Sequence, residues 1–231
     1  MCGRFTRTAD VSTLAGAFPG VEFPDGTAPR YNIAPTQPAV VIVEGIGPGA
    51  VSPRAVSMVW GLIPHWAKDR KIGHSLINAR AETLAEKPSF RTPFRDRRCL
   101  VVADGFYEWR KEAGRKVPMY IRIAGGRPFA FAGLWDSWRD GAEEVRTFTI
   151  ITTASNGLVG AIHDRMPAII PPDGYAAWLD VSGHRPESVS GLLVPYPSAE
   201  MEMFGVSAEV NDPRAEGPGL VVPAGPAWLI S

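Results

Sequence analysis

The second residue has the most distinctive chemistry in the chain. Methionine aminopeptidases remove Met1 when the next side chain is small, and Cys2 meets that condition. The mature chain would then begin with an α-amine of pKa about 7.7 to 8.0 beside a thiol of pKa near 8.5. An aldehyde condenses with such an amine to give an imine, and the neighbouring thiol closes on the imine carbon to form a thiazolidine. Cys2 therefore predicts covalent chemistry on an aldehyde.

Six short motifs follow one another along the chain, beginning at Cys2. They are Met1-Cys2-Gly3-Arg4-Phe5, Tyr31-Asn32-Ile33-Ala34-Pro35, Trp60-Gly61-Leu62-Ile63-Pro64-His65-Trp66, Asn78-Ala79-Arg80-Ala81-Glu82, Asp104-Gly105-Phe106-Tyr107-Glu108-Trp109 and His163-Asp164-Arg165-Met166-Pro167. In this order they resemble the SOS response-associated peptidase family, and Val206-Ser207 and Val210-Asn211 resemble its closing segment. The family's members are abasic-site processing proteins that cross-link to DNA, and the older name refers to a suspected autoproteolytic removal of the initiator methionine.

The resemblance implies four catalytic residues: Cys2, Asn78, Glu108 and His163. Cys2 would form the cross-link, and Asn78 would position the ligand or the Cys2 backbone without titrating. His163 would protonate the sugar ring oxygen, and Glu108 would move protons during imine formation. On a strand, Glu108 shares a face with Phe106, so aromatic neighbours are expected to raise its pKa.

The resemblance also implies how DNA is held. It points to Arg4, Arg80 and Arg165 as phosphate contacts. Pro35 and Trp66 would lie near the nucleotides that flank the lesion, and Thr152 would contact the DNA backbone. Guanidinium groups grip phosphate, and aromatic side chains stack on unpaired bases. Lys68, Arg91 and Arg95 are weaker candidates, with a solvated basic loop as the alternative.

Together these features predict a protein that binds single-stranded DNA and joins Cys2 to the ring-opened abasic sugar as a thiazolidine. Removal of Met1 by the chain itself and strand cleavage by a lyase side reaction are further expectations. Three alternatives stay open at this stage: an N-terminal-nucleophile hydrolase such as a glutaminase, a non-enzymatic single-strand DNA binder, and a peptidase that acts on other proteins.

The charge distribution is polar although the formal net charge is zero. Residues 66–98 contain nine basic and four acidic residues, and residues 172–231 contain two basic and eight acidic residues. A neutral chain does not coat nucleic acid by bulk electrostatics, so any DNA contact is expected to be confined to one basic face.

Composition narrows the class of protein further. No apolar run approaches the roughly 20 residues that span a bilayer, and no signal peptide is recognisable, so we expect a cytoplasmic protein that joins the nucleoid when bound to DNA. Cys2 and Cys99 are the two cysteines among 231 residues, which favours a reduced compartment, and Cys99 is expected in a buried strand. The histidine and cysteine spacing does not match a zinc site, so no metal is predicted. We also expect no cofactor and a monomer.

Strands dominate the pattern of the chain. Helices are predicted over 11–18, 79–86, 175–181 and 186–192, and strands over 39–43, 54–60, 99–103, 119–123, 128–134 and 145–153. Gly125-Gly126 predicts a hairpin between 119–123 and 128–134. Because strands and helices do not alternate, the expected fold is a single α+β domain over 1–231, with a core of about 2–212 and a Gly/Pro-rich tail. Its centre would be a mixed, barrel-like antiparallel β-sheet with short peripheral helices, and Trp60, Phe90 and Trp135 are expected in the core.

Overall fold

The protein is described by a computed structural model over residues 2–24, 26–45 and 53–224. Its strands are β1 (Phe5–Arg7), β2 (Arg30–Ile33), β3 (Pro38–Val43), β4 (Arg54–Trp60), β5 (Asn78–Arg80), β6 (Arg98–Ala103), β7 (Gly105–Glu112), β8 (Arg115–Ile123), β9 (Phe129–Asp140), β10 (Glu143–Ala154), β11 (Arg165–Pro167), β12 (Ile169–Ile170) and β13 (Met201–Gly205). Its helices are α1 (Val11–Ala17), α2 (Pro88–Asp96), α3 (Gly157–Gly160), α4 (Tyr175–Leu179) and α5 (Pro186–Val189). Met1 and the end of the predicted tail, 225–231, lie outside the described residues.

Five strands close into a barrel. The order is β10-β4-β3-β6-β9, and β9 pairs again with β10, so the ring has no free edge. β10 runs parallel to β4, and the other pairs in the ring are antiparallel. β5 continues the line of β4 along β10, with Ile150 opposite Asn78 and Thr152 opposite Arg80. The predicted α+β fold with a mixed, barrel-like sheet and short helices is confirmed.

A second, antiparallel sheet has the order β13-β8-β7-β1-β2 and packs on the barrel. Phe5 of β1 lies 5.2 Å from the Trp60 ring and 5.9 Å from the Phe131 ring, both edge-on. Phe106, opposite Phe5 in the pairing of β1 with β7, also meets Phe131 at 6.0 Å. These contacts bury one face of β1, the strand that follows Cys2, against the barrel.

The two faces of the barrel strands bury different partners. Val41 and Val101 face the second sheet, whereas their neighbours Ile42 and Leu100 pack with residues of the helices. Since side chains alternate along a strand, the continuous apolar sequence of 39–43 and 99–103 is what a strand buried on both faces requires. Both strands were predicted, and Trp60, Phe90 and Cys99 are buried as expected. Trp135, also expected in the core, is only half-buried and packs against the hydrophobic core.

The predicted hairpin between 119–123 and 128–134 is wrong. The turn itself forms, with the Gly126 N–H donating to Ile123 O at 2.9 Å and both glycines at positive φ. The strands then diverge, because β8 pairs with β7 and β13 while β9 pairs with β6, β10 and β12. Local turn chemistry predicts where a chain reverses, and the second sheet decides which strand its partner is.

The predicted helix over 79–86 is also wrong. Asn78–Arg80 is a strand and Ala81–Thr83 a single 3₁₀ turn. Pairing with β10 overrides the weak helical preference of this segment. The helix begins later, at Pro88, where proline suits the first turn.

The remaining predictions hold more closely. The first helix ends at Ala17 and begins after Asp10, whose side chain accepts from the Thr13 N–H at 2.7 Å. The helix predicted over 175–181 is α4, and the one over 186–192 divides into α5 and a 3₁₀ turn. Within the described residues, no helix is long and apolar enough to cross a membrane.

Candidate active site and nucleic-acid interface

Three elements bring the predicted catalytic residues together around Cys2. The Tyr107 N–H donates to Arg4 O at 3.0 Å, which continues the pairing of β1 with β7 and brings Glu108 alongside the start of the chain. From β5, Asn78 Nδ2 donates to Cys2 O at 2.7 Å. Asn78 thus binds the Cys2 backbone, one of the two positions that its predicted role allowed. Its buried Oδ1 has no hydrogen-bond partner in the described part of the chain.

Cys2 is completely buried in this arrangement. Its Sγ lies 3.8 Å from Arg4 O, within the range of a weak S–H···O hydrogen bond. Burial raises the pKa of the Cys2 thiol far above its usual range, and the negative charge of Glu108 raises it further. The thiol is therefore neutral at physiological pH and needs a base before it can act as a nucleophile.

Glu108 lies on the same face of β7 as Phe106 and is 4% exposed. Burial raises the pKa of its carboxyl group, and the nearby His163 partly offsets that rise. A carboxyl group of this kind keeps its proton to higher pH than an exposed glutamate does. A carboxyl group that holds its proton in this way can act as a general acid and, once it has donated, as a general base.

His163 follows α3, and its ring orientation is set by backbone contacts. The Arg165 N–H donates to His163 Nδ1 at 3.0 Å. Asp164 Oδ1 also lies 3.0 Å from Nδ1, and its side chain is 85% exposed. Nδ1 can therefore accept from the Arg165 N–H in the neutral ring or donate to Asp164 in the imidazolium, and Nε2 is the nitrogen that remains for proton transfer.

Three of the predicted DNA contacts lie along one end of β10. Thr152 pairs with Arg80 on one side and Pro167 on the other, and Ala154 pairs with Arg165. The Arg80 side chain is exposed, whereas Thr152 is buried and its hydroxyl donates to Ala79 O at 3.4 Å. The carbonyl of Thr152 accepts a hydrogen bond from Arg165 Nη2 at 2.6 Å, so Thr152 contributes to this end of β10 through its backbone.

Arg165 is already engaged by a carboxylate. Its Nη1 and Nη2 donate to the two oxygens of Glu82 at 2.6 and 2.9 Å. These hydrogen bonds lower the pKa of Glu82, whose side chain is 54% exposed, whereas that of Arg165 is 12% exposed. A carboxylate therefore occupies the guanidinium face that a phosphate would bind.

Arg4 is likewise held inside the protein. Its Nη1 donates to Asn32 Oδ1 and to Val210 O, each at 2.7 Å, and its guanidinium lies 5.9 Å from the Trp109 ring centre. Asn32 in turn donates to the carbonyls of Asp212 and Ala215. Arg4 thus joins the N-terminal strand to the C-terminal segment, a role that its sequence context did not reveal.

Trp66 stands on a loop that is fixed from below. Its side chain is 49% exposed. The buried Asp136 carboxylate accepts from the His65 N–H at 2.9 Å, and the Trp138 indole donates to Ala67 O at 2.8 Å. The other predicted flanking residue, Pro35, is half-buried at the end of β2. The weaker candidates Lys68, Arg91 and Arg95 are exposed, and Arg95 is paired with Asp96.

Sequence reasoning assigned no role to three polar residues that organise this region. Glu82 holds Arg165, Asn32 holds Arg4, and Asp104 accepts hydrogen bonds from Thr6, Thr8 and Ala9 next to β1. Asn32, Glu82 and Asp104 all fall inside the quoted motifs, and this position was the signal in the sequence that could have identified them. Asp136, which holds the His65 backbone, falls outside the motifs, so no such signal was present for it.

Three of the eight acidic residues in 172–231 pair with arginines from elsewhere in the chain. Glu216 pairs with Arg30, Glu202 with Arg122 and Glu200 with Arg127. The strong charge asymmetry of the sequence is therefore weaker on the folded surface. Across residues 2–24, 26–45 and 53–224, no group of three or more His, Cys, Asp or Glu side chains is placed to hold a metal ion.

Comparison with known proteins gives consistent results. The family described as SOS response associated peptidase (SRAP) matches residues 1–213. The chain is 42% identical over 225 residues to the abasic site processing protein YoqW of Bacillus subtilis, covering 96% of this chain and 99% of the relative. It is 42% identical over 218 residues to the abasic site processing protein YoaM of the same organism, covering 93% and 94%. A crystal structure of a protein from Bacteroides thetaiotaomicron superposes with a TM-score of 0.85 at 29% identity, covering 96% of this chain and all of that one. The chain therefore belongs to the SOS response associated peptidase family, as its motifs predicted.

Proposed function

We propose that this protein processes abasic sites in DNA by forming a covalent bond between Cys2 and the aldehyde of the ring-opened sugar. The observation that supports this most directly is the arrangement at Cys2. Asn78 donates a hydrogen bond to the Cys2 carbonyl, and Glu108 lies near enough for its charge to raise the pKa of the Cys2 thiol. The names of relatives that are 42% identical over nearly the whole chain point to the same substrate.

The first step is the release of the Cys2 amine. While Met1 is attached, the nitrogen of Cys2 is an amide and cannot condense with an aldehyde. Hydrolysis of the Met1–Cys2 peptide bond, by this chain or by an aminopeptidase, gives a primary amine that is partly neutral near pH 7.7 to 8.0. The buried setting of Cys2 then lowers competition from water.

The second step opens the sugar. The closed abasic sugar is a hemiacetal, and breaking its ring C–O bond needs a proton on the ring oxygen. His163 can supply that proton from Nε2 as the imidazolium, whose Nδ1–H is held by the Asp164 carboxylate 3.0 Å away. The neutral ring that results accepts the proton of the anomeric hydroxyl, whose oxygen becomes the aldehyde oxygen.

The third step joins protein and sugar. The Cys2 amine adds to the aldehyde carbon, and Glu108 in its protonated form donates to the departing hydroxyl, which leaves as water and yields the imine. The raised pKa of Glu108 favours this acid role. The imine formed in this way is protonated, because its nitrogen keeps one amine hydrogen. The Glu108 carboxylate then accepts the thiol proton as Sγ adds to the carbon of the protonated imine, which closes the neutral thiazolidine. If the thiol step is slow, the imine permits β-elimination, which accounts for lyase activity as a side reaction.

We also propose that single-stranded DNA lies along the edge formed by Arg80 and Arg165, with Arg4 near the reacting sugar and Trp66 and Pro35 beside flanking nucleotides. Few phosphates are contacted, since Arg4 and Arg165 are partly engaged by the protein itself. Binding should therefore depend moderately on salt. Stacking on Trp66 requires an unpaired base, which favours single strands over duplex.

The test is intact mass spectrometry of the protein mixed with a single-stranded oligonucleotide that contains one abasic site. We expect a one-to-one adduct that has lost one water and that lacks Met1. Cys2→Ala should form no adduct, while Cys99→Ala, which removes the other buried cysteine, should form it at the wild-type yield. Cys2→Ser should give transient imines and strand cleavage.

A heat-stable adduct from Cys2→Ala at wild-type yield would remove Cys2 from the mechanism. The rival functions give different results in the same experiment. A glutaminase would release ammonia from glutamine and ignore the aldehyde, and a non-enzymatic binder would retain the DNA without any covalent mass.

A further inference from the structure

We propose that a cavity next to the reaction centre is a binding site for one unpaired nucleobase, with guanine as its best ligand. This inference rests on the proposed function, because it assumes that single-stranded DNA reaches Cys2. The cavity has a volume of about 310 Å³ and lies between the end of β4, the start of β10 and the 3₁₀ turn Arg70–Ser75. That volume is at the lower end of the about 300 to 1,000 Å³ typical of small-molecule sites.

The cavity has an apolar floor that is rigidly built. Ile63 and Trp138 line it and are 8% and 5% exposed. Gly61 and Gly73 bring its two sides into contact, since a Cβ on Gly61 would lie 2.6 Å from Gly73 O. Gly61 adopts φ +122°, which a larger residue rarely adopts. A floor of this kind suits the flat face of a heteroaromatic ring.

Backbone strain lies at the same place. Thr36 lines the cavity with φ +70°, a left-handed conformation that is uncommon for a β-branched residue. Its N–H donates to Trp60 O at 2.8 Å, which holds the strained turn against the cavity floor. Such residues persist where the surrounding structure enforces them, and they concentrate at binding sites.

The rim of the cavity is formed by polar side chains that are exposed to solvent. Arg70, His74 and Glu143 line it and are exposed. Within the part of the chain that the structure describes, none of these three side chains forms an ion pair or hydrogen bond, unlike Arg4 and Arg165. The rim therefore offers a guanidinium, an imidazole and a carboxylate to a ligand without breaking an existing contact.

The cavity is connected to the reaction centre through Trp60. The Trp60 indole donates to Ile77 O at 2.8 Å, and the next residue, Asn78, binds Cys2 O. The Trp60 ring also packs against Phe5. The cavity also adjoins the proposed DNA surface, because Trp138, which lines it, donates to Ala67 O beside the exposed Trp66. A nucleotide that flanks an abasic sugar at Cys2 is therefore placed in this cavity.

The charges on the rim select among the bases. A carboxylate accepts two hydrogen bonds from N1–H and the N2 amino group of guanine, and a guanidinium donates to O6 and N7. Thymine offers one N–H between two carbonyl oxygens and cannot satisfy Glu143 in the same way. We therefore expect guanine to be preferred over thymine at one position near the lesion.

The experiment uses the full chain and single-stranded oligonucleotides that carry a tetrahydrofuran abasic analogue, which cannot cross-link. Guanine or thymine is placed in turn at each of the two positions on either side, and binding is followed by fluorescence anisotropy. At one position guanine should bind about five-fold or more tightly than thymine, the discrimination that one bidentate contact provides. Glu143→Gln and Arg70→Ala should each reduce the ratio to less than about two-fold.

Glu187→Gln is the matched control, because Glu187 is also exposed but lies on α5, outside the cavity lining. It should keep the wild-type preference. The proposal is overturned if no position discriminates by more than about two-fold, or if Glu143→Gln keeps the full preference. Its failure is distinguishable from that of the proposed function, since wild-type protein would then still cross-link a natural abasic site without a base preference.

Discussion

The region around Cys2 and the edge around Arg165 have opposite effects on the ionisation of their carboxyl groups. At Cys2 the titratable groups are buried, and burial raises the pKa of both the thiol and the Glu108 carboxyl. At Arg165 a bidentate ion pair with Glu82 stabilises the charges and lowers the pKa of that carboxyl. The first arrangement suits proton transfer, because the thiol stays neutral and the Glu108 carboxyl keeps to higher pH a proton that it can donate. The second keeps both groups charged and fixes the orientation of the Arg165 guanidinium, but it also occupies the face that a phosphate would bind.

The largest expected effect tests whether the buried region acts in chemistry rather than in binding. Glu108→Gln keeps the shape of the side chain but cannot exchange a proton, so adduct formation should slow by a factor of about 100 to 10,000. Affinity for the tetrahydrofuran analogue should stay within about two-fold. Rates come from single-turnover cross-linking under saturating DNA, and Glu112→Gln, on the same strand but exposed, is the control. Weak binding with a full cross-linking rate would make Glu108 a binding residue.

The converse result is expected at the exposed edge. Arg80→Ala removes a charge-assisted phosphate contact and should weaken binding by about 1 to 3 kcal/mol, or about 5- to 150-fold. The complex that forms at saturating DNA should react at the wild-type rate. Arg91→Ala removes an exposed arginine that was a weaker candidate, and its effect should be smaller. Equal losses from the two substitutions would point to general electrostatic attraction instead of a specific contact.

A smaller effect of opposite sign is expected from Glu82. This carboxylate occupies the face of Arg165 that a phosphate needs, and its negative charge repels DNA. Glu82→Gln should therefore tighten binding of the analogue by about two- to five-fold at low salt, and added salt should reduce the gain. Weaker binding would show instead that Glu82 holds Arg165 in its DNA-binding orientation.

The smallest effect concerns stability. A carboxyl whose pKa is raised by folding carries no penalty below its unfolded pKa and its full penalty above its folded pKa. Glu108→Gln removes that penalty, so it should raise Tm at pH 8 by about 2 to 4 °C, the shift that about 1 kcal/mol produces in a domain of this size. The gain should disappear as the pH falls below about 4, where Glu108 is protonated in both states. Thermal unfolding of both proteins across this range measures it, and a pH-independent gain would contradict the sign.

Part of this description follows from local sequence. The position of Cys2 predicts an aldehyde chemistry whatever the fold. Apolar runs such as 99–103 indicate buried strands, because a strand that is buried on both faces has no polar face. The ordered motifs indicate the family and hence the barrel-like fold. Asp10 shows where the first helix begins, because its cap uses atoms only three residues apart.

What local sequence cannot decide is which distant groups meet. The same glycine turn can close a hairpin or send β8 and β9 into different sheets, and the choice depends on β7 and β10. An arginine in a motif looks the same whether it faces solvent, as Arg80 does, or is held by Asn32 and Val210, as Arg4 is. The burial of a side chain and the pairing of a strand both depend on contacts with segments that are far apart in the chain. The sequence by itself therefore predicted Cys2 as the reactive residue. Only the tertiary structure decided which titratable groups have raised pKa values, which charged side chains are paired and which stay open to a ligand, because these properties depend on neighbours that are distant in the chain.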